Sequence, residues 1–295
     1  RGLGDVYKRQ RTDGAASRDV ASRVVEKRAA RQSSETSGSA YGVVGVFDLV
    51  EPVSPRIVVR GSSLARMTNL QILAYESTPL GDLCLRRREL LSRPGTVITE
   101  ITLDHQLLMS SHITVSERAL ATEALAHHAG TSLSVLIAGL GLGYTAAAVL
   151  SSERVTRVSV IELMPAVVGF LEDGLIPLAT ELLADARFAV CEGDAYAVLD
   201  DEASERWDLV LIDVDHAPDD HLGPGNEGFY TRAGLDRAKT HLSPGGILAV
   251  WSYADSSPFV EALRAAFNTV RLVPVEYRND LVDEEHTDWL FLAWD

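Results

Sequence analysis

The chain has 295 residues, 46% of them apolar and 23% charged, with a formal net charge of −15. This is the composition of a soluble globular protein with one large domain or two small ones, and no run approaches the ~18 consecutive apolar residues of a membrane span. Two cysteines, Cys84 and Cys191, sit far apart in strand-like runs, which argues against a disulfide framework. No segment carries the basic, apolar and small-residue pattern of a secretion signal, so a cytoplasmic protein with no membrane partner is expected.

The charge is uneven. Residues 1–66 hold 12 Lys and Arg against 7 Asp and Glu, whereas residues 67–295 hold 15 against 35. The acidic body should repel nucleic acid and favour cationic partners. The eight histidines show no ligand spacing, and the adjacent His127 and His128 point different ways on a helix, so no metal is expected.

Residues 1–66 are rich in Arg, Ser and Ala, with a linker-like Ser33–Ala40 and short strand-like runs at Val43–Val50 and Ile57–Val59. They read as a disordered or non-native extension, with Met67 as the natural start. Residues 67–115 read as a small β-hairpin region. Leu70–Glu76 and Asp82–Arg87 flank a Thr78-Pro79-Leu80-Gly81 turn, and Thr96–Leu103 and Leu107–Ser110 flank Asp104-His105-Gln106. Such a region suits a lid or a homodimer contact.

Residues 116–295 read as an α/β domain. A helix is expected over Ser116–His128, with Ser116 as its N-cap. Strand and helix patterns then alternate, which predicts a doubly wound, mostly parallel, seven-stranded sheet. The strands are Ser134–Ala138, Val158–Ile161, Arg187–Cys191, Trp207–Ile212 and Ile247–Trp251, closed by an antiparallel pair, Val270–Tyr277 and Asp288–Trp294. Helices are expected from Pro165, over Thr231–His241 and over Pro258–Phe267.

The first strand of this domain runs into Gly139-Leu140-Gly141-Leu142-Gly143 and a small-residue helix. Glycines at Gly139, Gly141 and Gly143 are expected where a tight turn lets a ligand approach bare backbone and a helix N-terminus. Glu162 lies 23 residues past Gly139 at the tip of the second strand, where a carboxylate accepts from ribose hydroxyls. Asp194 follows the third strand and suits an adenine amino group. Asp213 ends the fourth, beside the turn. Tyr144 stands where a dinucleotide fingerprint has its third glycine, so an adenosyl group without pyrophosphate, such as that of S-adenosylmethionine, fits better.

These stretches resemble the spermidine synthase-like (polyamine aminopropyltransferase) family, which uses the class I S-adenosylmethionine methyltransferase fold, over about Leu70 to Trp294. The motifs that carry the resemblance are Val135–Gly143, Val160-Ile-Glu-Leu-Met-Pro165, Glu192-Gly-Asp194 and Trp207–Asp215. Asn226, Phe229-Tyr230 and the return strand Leu242–Val250 complete it. The resemblance implies a transferase that alkylates a small cationic amine, using decarboxylated S-adenosylmethionine or S-adenosylmethionine as co-substrate. It implies Asp213 as the group that takes or steers the amine's proton, with Asp215 assisting, and Glu123, His216 and Tyr230 on the acceptor.

Three departures make this a divergent member. Leu142 stands where the family's turn has an aspartate for the amine of the decarboxylated donor. Ala121 replaces a tyrosine in Glu117-Arg-Ala-Leu-Ala-Thr-Glu123. The strand-4 motif reads Asp213-Val-Asp-His-Ala-Pro218. Polyamine aminopropyl transfer is therefore weighed against methyl transfer to an unknown acceptor and against a non-catalytic adenosyl-binding protein.

Overall fold

In the computed structural model, residues 57–58, 70–214, 217–220 and 226–295 are described. The expectations for residues 1–56, for Val59 and Met67, and for Asp215 and His216 lie outside them.

The first described residues form a five-stranded antiparallel sheet in the order β1-β2-β3-β4-β5. Its strands are β1 (Ile57–Val58), β2 (Leu70–Thr78), β3 (Gly81–Glu89), β4 (Val97–Leu103) and β5 (Gln106–Ser110). The β2–β3 turn is tight because Gly81 takes φ +136°, and a Cβ there would lie 2.5 Å from the Asp104 carboxylate. That carboxylate accepts the Asp82 N–H at 2.7 Å, which pins the turn between β4 and β5 to the turn between β2 and β3.

On the same sheet, Glu100 is only 2% exposed. Its carboxylate accepts from Arg86 Nε at 2.8 Å and from Arg88 Nη2 at 2.7 Å across the β3–β4 ladder. Burial pushes this carboxyl up, but the two guanidiniums outweigh it and hold it below the usual range.

The second sheet has seven strands in the order β11-β12-β10-β9-β6-β7-β8. They are β6 (Leu133–Ala138), β7 (Val155–Glu162), β8 (Phe188–Glu192), β9 (Trp207–Ile212), β10 (Leu242–Ser252), β11 (Thr269–Asn279) and β12 (Glu284–Trp294). The pairs β7–β8, β6–β7, β6–β9 and β9–β10 are parallel; β10–β12 and β11–β12 are antiparallel. The doubly wound sheet expected from the alternation is present.

The helices are α1 (Val115–His127), α2 (Tyr144–Leu150), α3 (Pro165–Glu172), α4 (Ala179–Ala184), α5 (Ala195–Asp200), α6 (Arg232–Thr240) and α7 (Ser257–Ala266). The short α4 and α5 were not expected, because six residues are too few to show a helical period.

Strand alternation sorts the core into two faces. Val135, Ile137, Leu209 and Leu211 pack with α1 to α4, whereas Leu136, Ala138, Val210 and Ile212 pack with α5 to α7. The first face also takes in Leu73, Leu83, Leu85 and Ile101 of the N-terminal sheet. The small sheet therefore shares one apolar core with the large one. A polar tie reinforces it: His112 Nε2 bonds Asp280 Oδ1 at 2.6 Å, and Arg93 pairs with the same carboxylate at the β11–β12 turn. Among the described residues, no helix is long and apolar enough to cross a membrane.

Replacing Glu100 by Gln leaves two cationic side chains facing a neutral amide. A loss of about 2 kcal/mol is expected in urea unfolding, in line with charge-assisted bonds to a buried group. An unchanged midpoint would mean that these pairs contribute nothing.

Candidate functional site

The chain leaves β6 for β7 on one side and later returns to β9 on the other. The reversal in strand order opens a crevice at the carboxyl ends of β6 and β9. A cavity lies there. Gly139, Leu140 and Gly141 form part of its wall together with Glu162, Asp194, Asp213 and Asn226. The N-terminal sheet closes it with Leu80, Ile101, Leu108 and Met109, and α1 contributes Glu117.

The glycines are required, but by the protein's own packing. A Cβ on Gly139 would lie 2.3 Å from the carbonyl oxygen of Asp213, one on Gly141 2.4 Å from Met109 Sδ, and one on Gly143 2.5 Å from Leu182 Cδ1. All three have positive φ, of +90°, +50° and +87°. Gly139 and Gly141, expected where a ligand approaches bare backbone, line the cavity, and β9, β5 and α4 crowd all three positions. Met109 also accepts the Leu142 N–H through its sulfur at 2.9 Å, so the N-terminal sheet sits directly on the turn.

Glu162 is 5% exposed. Its oxygens accept the N–H groups of Leu140 and Met164, each at 2.8 Å, so this carboxylate straps the turn. Burial pushes its carboxyl up, against the backbone donors that favour the charged form. Asp194 caps α5, accepting from Tyr196 N–H at 2.9 Å and Ala197 N–H at 3.2 Å. Each carboxylate keeps lone pairs for a ligand hydroxyl or amino group.

Asp213 follows β9, its N–H donating to the Ala138 carbonyl at 3.0 Å. Its Oδ2 lies 2.6 Å from the Thr145 hydroxyl. The same hydroxyl lies 3.4 Å from the carbonyl oxygen of Glu117, so α1 and α2 meet over this carboxylate. Burial raises the Asp213 carboxyl to about 6, with Thr145 opposing and the charge of Asp288 adding to the rise. Glu117 is raised further, to about 8, first by burial and then by the negative charge of Asp213 and Asp288. Asp288, only 5% exposed, is itself raised by burial, with the hydroxyls of Ser116 and Tyr277 favouring its charged form. The indole N–H of Trp251, on the cavity wall, also favours the charged form of Asp288.

Two expected residues stand elsewhere. Leu142 is fully buried in the hydrophobic core and does not line the cavity, so its side chain is not presented to a donor. Glu123 is half-buried on another side of α1, beside His127, whose Nδ1 approaches the Glu123 carbonyl at 2.8 Å. Six residues turn a helix by roughly 240°, so Glu117 and Glu123 cannot face the same cavity, and it is Glu117 that lines it. Ala121 is buried in the same core. Tyr230 lies one layer behind the wall, its hydroxyl 2.9 Å from that of Tyr196, which lines the cavity.

Sequence reasoning missed Glu117, Thr145 and Asp288 as site residues. For Asp288 a signal existed, because it shares strand parity with the buried Leu290 and Leu292 and so had to face the core. Among the described residues, no group of three or more His, Cys, Asp and Glu is arranged to hold a metal ion.

No protein-family model matches the chain. It is 34% identical over 137 residues to a polyamine aminopropyltransferase of Oceanobacillus iheyensis, a match covering 43% of this chain and 25% of that protein. It is 30% identical over 156 residues to a polyamine aminopropyltransferase of a Ruegeria species, covering 52% of each. The matches thus span about half, or a quarter, of the length of these relatives.

In structure, the chain resembles a spermidine synthase in complex with the transition-state analogue AdoDATO, with a TM-score of 0.60 at 16% identity over 75% of this chain and 73% of that one. A spermidine synthase from Thermotoga maritima gives 0.57 at 15% identity over 75% and 71%. At these identities the likeness establishes the fold.

Two outcomes follow from the geometry. Gly139→Ala meets immovable backbone and should cost about 3 kcal/mol or more, whereas Gly141→Ala meets only the flexible end of Met109 and should cost about 1–2 kcal/mol; equal losses in urea unfolding would refute the distinction. Glu117 and Asp213 have folded values above their ordinary ones, so they favour the fold most below about pH 4 and lose that contribution as pH rises through about 6 and about 8. The melting temperature of the ligand-free protein should therefore fall between pH 6 and 9, and more steeply than in Glu117→Gln. Parallel curves would contradict the assignment.

Proposed function

We propose that this chain is a transferase that alkylates an amine from an S-adenosyl sulfonium donor, by polyamine aminopropyl transfer. The observation that carries the reading is Asp213, half-buried at the tip of β9, held by Thr145, and facing the same cavity as Glu162 and Asp194. The likeness to polyamine aminopropyltransferases supports the reaction class.

Glu162, beside the glycine turn, suits the ribose hydroxyls, and Asp194 suits the adenine amino group. The donor, when bound, supplies an electrophilic carbon beside its positively charged sulfur. The acceptor nitrogen bonds to that carbon as the carbon–sulfur bond breaks, and the electron pair stays on sulfur as a neutral thioether. The nitrogen needs its lone pair free, so one proton must leave it. Asp213 is the group for this: it is ionised at neutral pH, its Oδ2 is fixed by Thr145, and it stands at the cavity wall. Walls built from Leu80, Ile101 and Leu108 limit water around the reacting atoms, which strengthens these charge interactions.

A second reading is methyl transfer from intact S-adenosylmethionine. It is favoured by the composition of the glycine turn, Gly139-Leu140-Gly141-Leu142-Gly143, which carries no carboxylate for the amine of a decarboxylated donor.

Calorimetric titration with S-adenosylmethionine and with its decarboxylated form, followed by mass analysis of the product formed with a diamine, separates the two. Aminopropyl addition is expected, and a product heavier by one methyl group would select the second reading. Asp213→Asn should lower kcat/KM by about 10²–10⁴. In the wild type, kcat/KM should rise with pH through about 6, as Asp213 ionises. Binding of neither donor would remove the transferase reading.

A further inference from the structure

The carboxylates at the strand ends, Glu162, Asp194 and Asp213, line one cavity but are held in two different ways. Glu162 accepts the N–H groups of Leu140 and Met164, each at 2.8 Å, and Asp194 accepts those of Tyr196 and Ala197 at 2.9 and 3.2 Å. An N–H group only donates, so both arrangements favour a carboxylate that stays ionised. Asp213 differs. Among the described residues, its carboxylate is held by a hydroxyl, that of Thr145, 2.6 Å from Oδ2. A hydroxyl is both donor and acceptor, so it can partner an acid in either protonation state.

That hydroxyl has a second acceptor within reach, the carbonyl oxygen of Glu117 on α1, at 3.4 Å. Its one hydrogen belongs to the carboxylate while Asp213 is ionised, because that oxygen is nearer and charged. When Asp213 is neutral, the Glu117 carbonyl competes for it. Thr145 is 4% exposed and stands behind the cavity wall, so it can reach a ligand only through Asp213. The titratable groups that face Asp213 from other elements are Glu117 of α1 and Asp288 of β12, with the Tyr277 phenol of β11 beside Asp288. They act on Asp213 by charge, whereas Thr145 acts by a bond of fixed direction.

We propose that Thr145 is the positioning residue for the base of the transfer reaction: through Oδ2 it fixes the Asp213 carboxylate so that Oδ1 is the oxygen that meets the reacting nitrogen. This rests on the reading above, in which Asp213 takes the amine's proton. In that step a nitrogen–hydrogen bond breaks, its electron pair stays on nitrogen, and the proton bonds to Oδ1. A carboxylate free to turn about its side-chain bonds would lose that aim, and one hydroxyl at 2.6 Å removes the freedom. Thr145 is the second residue of α2, which begins directly after the glycine turn. The turn beside Glu162 therefore also delivers the hydroxyl that aims the base.

The test measures kcat/KM for 1,4-diaminobutane against pH, in the full chain and its variants, with the S-adenosyl donor that calorimetry shows to bind. Thr145→Val keeps the side-chain shape and removes the hydroxyl, whereas Thr145→Ser keeps the hydroxyl. The Val variant should lose about tenfold or more in kcat above the acid limb of the profile. Its acid limb should also move upward from about 6 by about one pH unit, because the hydroxyl opposes the rise of the Asp213 carboxyl. Donor affinity should be unchanged, which reports that the fold and cavity are intact. The Ser variant should restore the limb and most of kcat. A Val variant whose limb stays at the wild-type pH overturns the proposal, even if it is slower, since a packing defect alone slows the enzyme without moving the limb. A Ser variant that behaves like Val overturns it as well. An Asp213→Asn variant that keeps wild-type turnover, or a wild type that alkylates no diamine, strikes the parent reading instead.

Discussion

The carbonyl oxygen of Asp213 lies 2.3 Å from where a Cβ of residue 139 would be, and this contact sets the geometry of the whole site. β6 and β9 are hydrogen-bonded neighbours, so the turn leaving one must pass the end of the other. Only glycine allows that passage at φ +90°. Once it is made, Asp213 is fixed beside the turn, and α2 begins immediately after it. The first turn of α2 then delivers the Thr145 hydroxyl to the Asp213 carboxylate. Glycine, carboxylate and helix form one unit, and none can move without the others.

The N-terminal sheet completes that unit. Met109 fills the space above Gly141 and accepts a backbone N–H from the turn. Leu80, Ile101 and Leu108 add apolar wall. By sharing the core of the large sheet, the small one lowers the dielectric around Asp213, Glu117 and Asp288. The same coverage that shapes the cavity raises the carboxyls in it, which ties their proton affinity to the packing of a β-sheet distant in sequence.

Much of the architecture was legible in the chain. Continuous apolar runs such as Val135-Leu-Ile and Leu209-Val-Leu-Ile, each ending in a glycine or a carboxylate, identify parallel strands with helices on both faces. Glu162, Asp194 and Asp213 reach the cavity wall because each stands at or just past a strand end, a position that sequence alone locates. Glu117 and Glu123 show where this fails. Both are acidic residues on one helix, and which of them meets the cavity depends on how α1 rotates against α2 and the sheet. Leu142 shows the same limit, since its place within the glycine motif says nothing of whether its side chain faces the cavity or the core.

The sequence by itself determined the strand order's consequences: a doubly wound sheet, a glycine turn at its switch point and three carboxylates at strand ends. Those follow from periodicity, which is a local property. Only the tertiary structure decided that Met109 covers the turn, that Thr145 holds Asp213, and that Asp213 and Asp288 set their negative charge beside Glu117. These contacts join residues distant along the chain, and their energies come from burial and fixed geometry, which exist only once the two sheets have packed.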